Sequence, residues 1–204
     1  MVKVITVERE FAAEGVEYAR LLAERLGWRL VDQSLVEKVA EAAGVKPEVV
    51  TSCDERLDPW YHRMGKVFWR GGVEHVSGVD IDSCDSDGLL VYLQQVIRSE
   101  AASGNCVIVG RAASSILNGV AGCFHVFIYA SMPHKKRFFE GQFPEKAKHA
   151  EQEIRAQDAA RAAYVRKHYH HDWDNRHLYH LMLNSCMGQE AMVGATVDAI
   201  GKHE

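Results

Sequence analysis

The segment Thr6–Gly27, with the sequence TVEREFAAEGVEYARLLAERLG, decides the fold of this chain. The β-branched residues of Val2–Val7 are typical of a buried strand, and the apolar residues of Val16–Leu26 recur at helical spacing. A short loop connects the two, at the position where many nucleotide enzymes carry a phosphate-binding loop. This loop contains one glycine, Gly15, and no lysine, and glutamates lie in and around it. The segment therefore predicts a strand and a helix joined by a loop of unusual, acidic composition.

The rest of the chain alternates between strand and helix patterns. The further strands that the pattern predicts are Trp28–Val31, Cys106–Val109, Cys123–Tyr129 and Leu178–Leu183. The further predicted helices are Leu35–Ala43, Leu89–Ala102, Gln142–His171 and Gln189–Ile200, and Lys46–Gly88 is predicted as a flexible insert. Such alternation predicts an α/β fold, in which a parallel sheet carries helices on both faces.

The composition limits the class of protein. The chain has 204 residues, which suits one domain with a well-buried core, and its formal net charge is −4. This charge provides no general attraction to nucleic acid or to an anionic membrane, and no apolar run approaches membrane-spanning length. The 5 cysteines are scattered, and the N-terminus lacks a signal-peptide pattern. We expect a cytoplasmic protein with reduced thiols and without nucleic-acid or membrane partners, and the oligomeric state stays open.

Charged residues follow several of the predicted strands, where ligands of a parallel sheet bind. They are Glu8, Arg9 and Glu10 after the first strand, Asp32 after the second, Arg111 after the third, and Lys135, Lys136 and Arg137 soon after the fourth. Basic residues that recur at separate strand ends indicate an anionic ligand, because guanidinium groups pair with phosphate through two hydrogen bonds. Each charge taken alone is equally consistent with a solvated loop residue.

Five stretches of the chain carry a resemblance to a known family. They are VITVEREFAAEGVEYARLLAERLGW, VIVGRAASSIL, HVFIYAS, IRAQDAARAAYVRKHYHHDW and LYHLMLNS, and they occur in this order. Together they resemble the cytidylate kinase-like family, one of the P-loop nucleoside monophosphate kinases. The resemblance implies a single domain over residues 1–204, with an acceptor-binding insert and helix at 46–100 and a lid at 134–171.

The resemblance also implies an activity, cofactors and site residues. Members of the family transfer a phosphoryl group from ATP, with Mg²⁺, to a nucleoside monophosphate such as CMP, which would be the small-molecule partner. The phosphate loop corresponds to Arg9, Phe11, Ala12, Ala13, Glu14, Gly15, Val16 and Glu17. Arg111 and Asp32 correspond to the acceptor site. The catalytic arginines of the lid correspond to Arg155 and Arg161, and the other lid residues to Lys135, Arg137 and Asp158.

The loop departs from the pattern of an ordinary kinase loop. Gly15 stands at the lysine position, and Glu17 lies close to the hydroxyl position. Ala12 and Glu14 replace glycines of the Gly-Ser-Gly-Gly-Arg-like loop that the resemblance implies, and Val16 replaces its arginine. Two compensations are available: Arg9 as the missing cation, and Glu17 as a carboxylate ligand for Mg²⁺. Three functions follow from this: an active kinase, a non-catalytic nucleotide- or metabolite-binding protein with the kinase fold, and an enzyme with an altered donor or acceptor.

Histidines are concentrated near the end of the lid that the resemblance implies. The stretch KHYHHDW at residues 167–173, together with His177 and His180, contains five imidazoles beside Asp172. Imidazoles are good ligands for zinc and nickel, but the spacing matches no recognised structural site. The stretch is consistent either with a metal site or with a solvated helix end.

Overall fold

The computed structural model of the protein describes residues 1–32, 34–47, 50 and 86–203. The chain divides into two compact units, one of residues 1–32 and 97–204 and the other of residues 33–96. Most of the predicted insert at 46–100 lies outside the described residues. The first unit contains the sheet and every residue of the site described below, so the fold is followed there.

The described residues form a parallel sheet of five strands. The strands are β1 Val4–Arg9, β2 Arg29–Val31, β3 Cys106–Val109, β4 Cys123–Tyr129 and β5 Leu181–Asn184, in the order β2-β3-β1-β4-β5. Each neighbouring pair is parallel, and β1 lies between β3 and β4. All six residues of β1 are buried, including the polar Thr6, Glu8 and Arg9, because the strand lies inside the sheet and is covered on both faces. The predicted α/β fold with a parallel sheet is confirmed.

Helices follow the strands along the chain. They are α1 Gly15–Leu26, α2 Ser34–Ala43, α3 Ser86–Ser103, α4 Ala113–Ile116, α5 Met132–Gln142, α6 Ala150–Tyr169 and α7 Gln189–Lys202, with 3₁₀ turns at Pro144–His149 and Ser185–Met187. The first helix ends at Gly27, whose φ of 66° is left-handed and is favoured by glycine. Within the described residues, no helix combines the length and the apolar composition needed to cross a membrane.

The prediction of one helix over Gln142–His171 is wrong. Phe143 interrupts it with φ −134° and ψ 67°, and a 3₁₀ turn follows from Pro144. The residue before a proline is disfavoured in the helical region because its backbone clashes with the proline ring. The segment before the break, Met132–Gln142, forms the separate helix α5, which the sequence pattern did not predict.

Apolar side chains cover both faces of the sheet around β4. On one face, α1 and α7 pack against β1, β3 and β4, and a buried hydrogen bond of 2.7 Å between Tyr18 Oη and Thr196 Oγ1 joins the two helices. On the other face, Phe127 contacts Trp173 and Tyr179, with ring centroids 5.2 and 4.9 Å away. The two layers hold the carboxyl ends of β1 and β4 in place.

A histidine pair connects β4 to the segment before β5. Nδ1 of the buried His125 lies 2.7 Å from Thr6 Oγ1, and the backbone N–H of His125 donates to Nδ1 of His180 at 2.9 Å. Burial and the neighbouring His180 lower the pKa of His125 to about 4. Burial and His203 also lower the pKa of His180. Both imidazoles are therefore neutral in the folded protein near pH 7.

Acidification is expected to destabilise the protein through His125. An unfolded histidine titrates near pH 6.5, so between about pH 6.5 and 4 the unfolded chain binds more protons than the folded one. The contribution of His125 to the free energy of unfolding is complete above that range and is lost as the pH falls through it. Urea denaturation from pH 7 to 4.5 should therefore show a shallower decline in His125→Gln than in the wild type. The exposed His177→Gln is the control, and equal slopes in all three proteins would contradict the assignment.

Candidate active site

The candidate active site lies where β1, β3 and β4 end. Because the strands are parallel, Glu10, Gly110 and Ala130 follow their carboxyl ends at one edge of the sheet. The backbone N–H of Glu10 donates to Ile128 O at 2.9 Å, and that of Gly110 donates to Val7 O at 2.9 Å. The loop after β1 is thus attached to β4 before the chain enters α1.

The loop between β1 and α1 adopts a backbone that glycine favours. Ala12 and Glu14 both lie in the left-handed region, with φ of 59° and 58°. An L-residue there costs roughly 1–2 kcal/mol relative to ordinary conformations. The loop therefore follows the path of a glycine-containing turn although neither residue is glycine. Ala13, between these two residues, is fully buried in the core.

Gly15 is required by the side chain of Arg9. A Cβ atom at position 15 would lie 2.6 Å from Arg9 Cβ and 2.8 Å from Arg9 Cγ. The buried arginine then reaches Gly110, where a Cβ would lie 2.0 Å from Arg9 Nη1. The position that carries lysine in an ordinary kinase loop thus has no room for a side chain, and Arg9 fills that space.

A network of ionised groups joins the loop to α5 and α6. Lys135 is 5% exposed, and its Nζ donates to Glu10 Oε2 at 3.0 Å and to Asp158 Oδ2 at 2.7 Å. The other oxygen of Asp158 accepts a hydrogen bond of 2.6 Å from the backbone N–H of Phe11. Glu10 Oε2 also accepts from the backbone N–H of Ala130 at 3.1 Å. Two of the predicted lid residues, Lys135 and Asp158, are therefore in contact with each other and with the phosphate-loop segment.

The two predicted lid arginines have different environments. Arg161 is buried, and its Nη1 donates to the backbone carbonyl of Arg9 at 2.8 Å. Its guanidinium carbon lies 5.8 Å from the ring centres of Phe11 and Trp173. The side chain of Arg155 is 67% exposed and is bonded to Glu151 on its own helix. The structure therefore brings Arg161 to the loop and leaves Arg155 on the solvent side of α6. Arg137, another predicted lid residue, is likewise exposed on α5.

The carboxylate of Glu14 is turned toward α5 and α7. Its Oε1 lies 2.6 Å from Nε2 of His134, and its Oε2 accepts from Gln189 Nε2 at 3.4 Å. The amide of Gln189 also donates to the backbone carbonyl of Glu14 at 3.4 Å. Sequence patterns predicted neither His134 nor Gln189, since both are distant from the loop along the chain. The position of His134 beside Lys135, just after β4, is the one local signal that was available.

Val16 and Glu17 lie on the first turn of α1. Val16 packs at the edge of the core under α1. Both carboxylate oxygens of Glu17 accept hydrogen bonds from Arg20, at 3.0 and 2.7 Å. The bond to Arg20 lowers the pKa of Glu17. A metal ion at Glu17 would have to displace this guanidinium, so the geometry does not favour the proposed Mg²⁺ ligand.

The two predicted acceptor residues lie at the same edge of the sheet. Asp32 directly follows β2, and Arg111 follows β3 with one residue between. Arg111 is half-buried and left-handed, with φ of 55°, and its neighbours Gly110 and Ala112 have φ of 68° and 53°. Three consecutive left-handed residues turn the chain sharply between β3 and α4. The turn holds the backbone of Arg111 directly beyond the end of the strand.

The histidine-rich stretch has ordinary hydrogen-bonding partners in the structure. His171 Nε2 lies 2.9 Å from Ser115 Oγ, and its Nδ1 lies 2.8 Å from the carbonyl oxygen of Asp172. In the part of the chain that the structure describes, no group of three or more His, Cys, Asp or Glu side chains is placed to hold a metal ion. The stretch forms the end of α6 and the turn after it.

Comparison with known proteins decides the family. A model of the cytidylate kinase-like family matches residues 4–186, which is most of the chain. The protein belongs to the cytidylate kinase-like family. The match includes the loop after β1, the strands β3 and β4, and the α5–α6 segment that carries Lys135, Asp158 and Arg161. No curated protein sequence matches this family member significantly.

Solved structures share the fold of this cytidylate kinase-like protein. An uncharacterized protein from Eubacterium ventriosum ATCC 27560 aligns with a TM-score of 0.71 and 17% identity over 100% of both chains. Shikimate kinase from Acinetobacter baumannii, solved with shikimate, aligns with a TM-score of 0.53 and 14% identity over 100% of this chain and 97% of that one. Shikimate kinase from Bacteroides thetaiotaomicron aligns with a TM-score of 0.55 and 11% identity over 98% of each chain. The protein therefore shares the α/β fold of these P-loop kinases.

Proposed function

We propose that this protein transfers the γ-phosphoryl group of ATP to a nucleoside monophosphate such as CMP. The observation that carries the proposal is the loop between β1 and α1, which adopts a glycine-type backbone beside three buried cationic side chains. These are Arg9, Lys135 and Arg161. Membership in the cytidylate kinase-like family supports the same substrate class.

Phosphoryl transfer depends on position and charge neutralisation more than on a covalent partner. ATP with Mg²⁺ supplies the reactive phosphoryl group when it is bound. The loop N–H groups and the N-terminus of α1 suit the donor phosphates, since both present backbone donors to an anion. Lys135 and Arg161 lie on the side of the loop that faces α5 and α6, where they would neutralise charge on the transferring group. Arg111 would hold the acceptor phosphate, with Asp32 nearby.

The alternative is a protein that binds a nucleotide or metabolite without catalysis. Carboxylates at the loop favour this alternative, because Asp158 accepts from Phe11 N–H and Glu14 is held by His134 and Gln189. Each lies where it opposes an incoming phosphate charge. An altered acceptor is the third candidate, and the resemblance of the fold to shikimate kinases makes hydroxylated acids a reasonable addition to a substrate panel.

One experiment separates these functions. Melting temperatures are measured with nucleoside mono-, di- and triphosphates and shikimate, with and without Mg²⁺, because a ligand that binds only the folded state raises the melting temperature. Ligands that shift it are then incubated with ATP–Mg²⁺ and the enzyme, and products are separated by chromatography. We expect CDP from CMP. Binding without turnover would support the non-catalytic alternative, and an absence of nucleotide binding would contradict both.

Replacing Arg111 with alanine is expected to weaken acceptor binding about tenfold or more. A charge-assisted, two-pronged contact with a phosphate contributes roughly 1.5–3 kcal/mol, and the side chain is only half-buried, so the fold should tolerate the change. Isothermal calorimetry with CMP measures the effect. Arg25→Ala is the matched control, since Arg25 lies in the last turn of α1, far along the helix from the loop. Equal CMP affinity in Arg111→Ala and the wild type would remove Arg111 from the acceptor site.

A further inference from the structure

We infer that the carboxylate of Asp158 occupies the phosphate position of the loop between β1 and α1 and so caps it. A donor phosphate must displace this carboxylate to bind. This inference rests on the proposed function only in taking the β1–α1 loop as the phosphate site. It adds a regulatory contact to that site: α6 closes the loop through its own carboxylate.

The contacts of Asp158 are those of a bound anion. One oxygen accepts from a loop backbone amide, Phe11 N–H, at 2.6 Å, and the other accepts from the ammonium of Lys135 at 2.7 Å. A backbone N–H and a lysine ammonium that converge on one anion are the donors that kinase loops present to phosphate oxygens. The carboxylate therefore satisfies the donors that a phosphate group would use.

Lys135 provides the cation for this exchange. Position 15, where an ordinary kinase loop has its lysine, has no space for a side chain. The Nζ atom of Lys135 reaches the loop from α5 instead and contacts two carboxylates, Glu10 and Asp158. If a phosphate replaced Asp158, Lys135 would remain paired with Glu10 and gain the phosphate as its second partner. The cap is thus removable without leaving the buried ammonium unpaired.

The release of Asp158 is coupled to the position of α6. Arg161 lies one turn further along this helix and donates to the carbonyl of Arg9 at 2.8 Å. The two residues attach α6 to Arg9, the last residue of β1, and to Phe11 in the loop. A phosphate that takes the place of Asp158 would leave Arg161 at the loop as an additional cation. This arrangement predicts that the Asp158 carboxylate and the phosphate of the nucleotide donor compete for the same hydrogen-bond donors.

The test compares Asp158→Asn with the wild type and with Asp198→Asn. Asn removes the charge and keeps the shape, and Asp198 is an exposed residue of α7, so the control makes the same chemical change away from the loop. Calorimetry at fixed ionic strength measures the affinity for pyrophosphate and for ATP. The affinity of a site that is open for only a fraction of the time is reduced by that fraction, so we expect Asp158→Asn to bind pyrophosphate at least tenfold more tightly. Asp198→Asn should match the wild type.

A second measurement uses the wild-type protein and does not depend on the stability of the variant. In a titration with pyrophosphate, the amide resonance of Phe11 and the side-chain carboxyl carbon of Asp158 should shift together in NMR spectra. Pyrophosphate binding that shifts neither resonance would overturn the inference. So would equal pyrophosphate affinity in Asp158→Asn and the wild type, and so would an absence of pyrophosphate binding in both. CMP binding decides the proposed function separately, because the acceptor site around Arg111 does not include Asp158.

Discussion

Replacing Lys135 with methionine is expected to lower the free energy of unfolding by about 2–3 kcal/mol. The side chain of Lys135 is 5% exposed, and its ammonium lies within 3.0 Å of one oxygen of Glu10 and one of Asp158. Its removal leaves two partly buried carboxylates facing each other without a cation. Removal of one partner from a fully buried pair costs about 3–5 kcal/mol, and the partial exposure of both carboxylates reduces that figure. Urea denaturation at pH 7 measures the change.

Two further variants test whether the loss arises from charge. Lys135→Arg keeps the positive charge and should recover part of the stability. In an Asp158→Asn background, the additional cost of Lys135→Met should fall, because one of the two opposed carboxylates is already neutral. An additive double variant would show that Lys135 and Asp158 are not coupled. A cost below about 0.5 kcal/mol for Lys135→Met alone would show that the ion network contributes little to stability.

Replacing Gly15 with alanine is the second change with a large expected effect. The added methyl group would lie 2.6 Å from Arg9 Cβ, closer than any normal carbon–carbon contact. Because Arg9 is buried, its side chain has little room to move aside. Either the loop or the start of α1 must therefore shift. Overpacking of this kind costs about 1–3 kcal/mol. We expect the urea midpoint to fall, and we expect pyrophosphate affinity to fall with it because Arg9 and the loop lose their positions.

Gly194 offers the matched control for this change. It lies inside α7, and a Cβ at its position would meet no atom within 4 Å apart from its chain neighbours and the backbone of its own helix. Alanine there should be neutral or should stabilise the helix by about 0.5–1 kcal/mol. If Gly15→Ala is as well tolerated as Gly194→Ala, the side chain of Arg9 does not occupy the space beside position 15, and the explanation for the missing lysine fails.

The strands and the fold class followed from the sequence because their signal is local. Cys106–Val109 and Cys123–Tyr129 were predicted with the bounds that the structure has. Continuous apolar runs of this length are buried on both faces whatever their neighbours, and short connections to amphipathic helices leave a parallel sheet as the compact arrangement. The order of polar residues at the strand ends followed from the same pattern. That pattern alone predicts that Arg9, Asp32 and Arg111 lie at one edge of the sheet.

The break in the predicted helix Gln142–His171 was harder to predict from the sequence. Helix-forming charged residues continue through Lys146 and Lys148. When helix propensity is summed over this segment, they outweigh the single proline. Pro144 nevertheless ends the helical path at Phe143. The consequence for the site is large, because the break makes α5 and α6 separate helices. Lys135 on α5 and Asp158 on α6 can then meet over the loop.

Sequence alone therefore determined the architecture and the edge of the sheet where we propose that ligands bind, since both depend on short-range patterns of polarity. Only the tertiary structure decided which charged side chains meet there. The sequence gives no reason to distinguish Arg155 from Arg161, since both are arginines of one helix. The packing of α6 exposes the first and buries the second against Arg9 and Phe11. Asp158 reaches the amide of Phe11 across 147 positions of the chain. Contacts of that separation depend on how helices pack, and no local propensity encodes them.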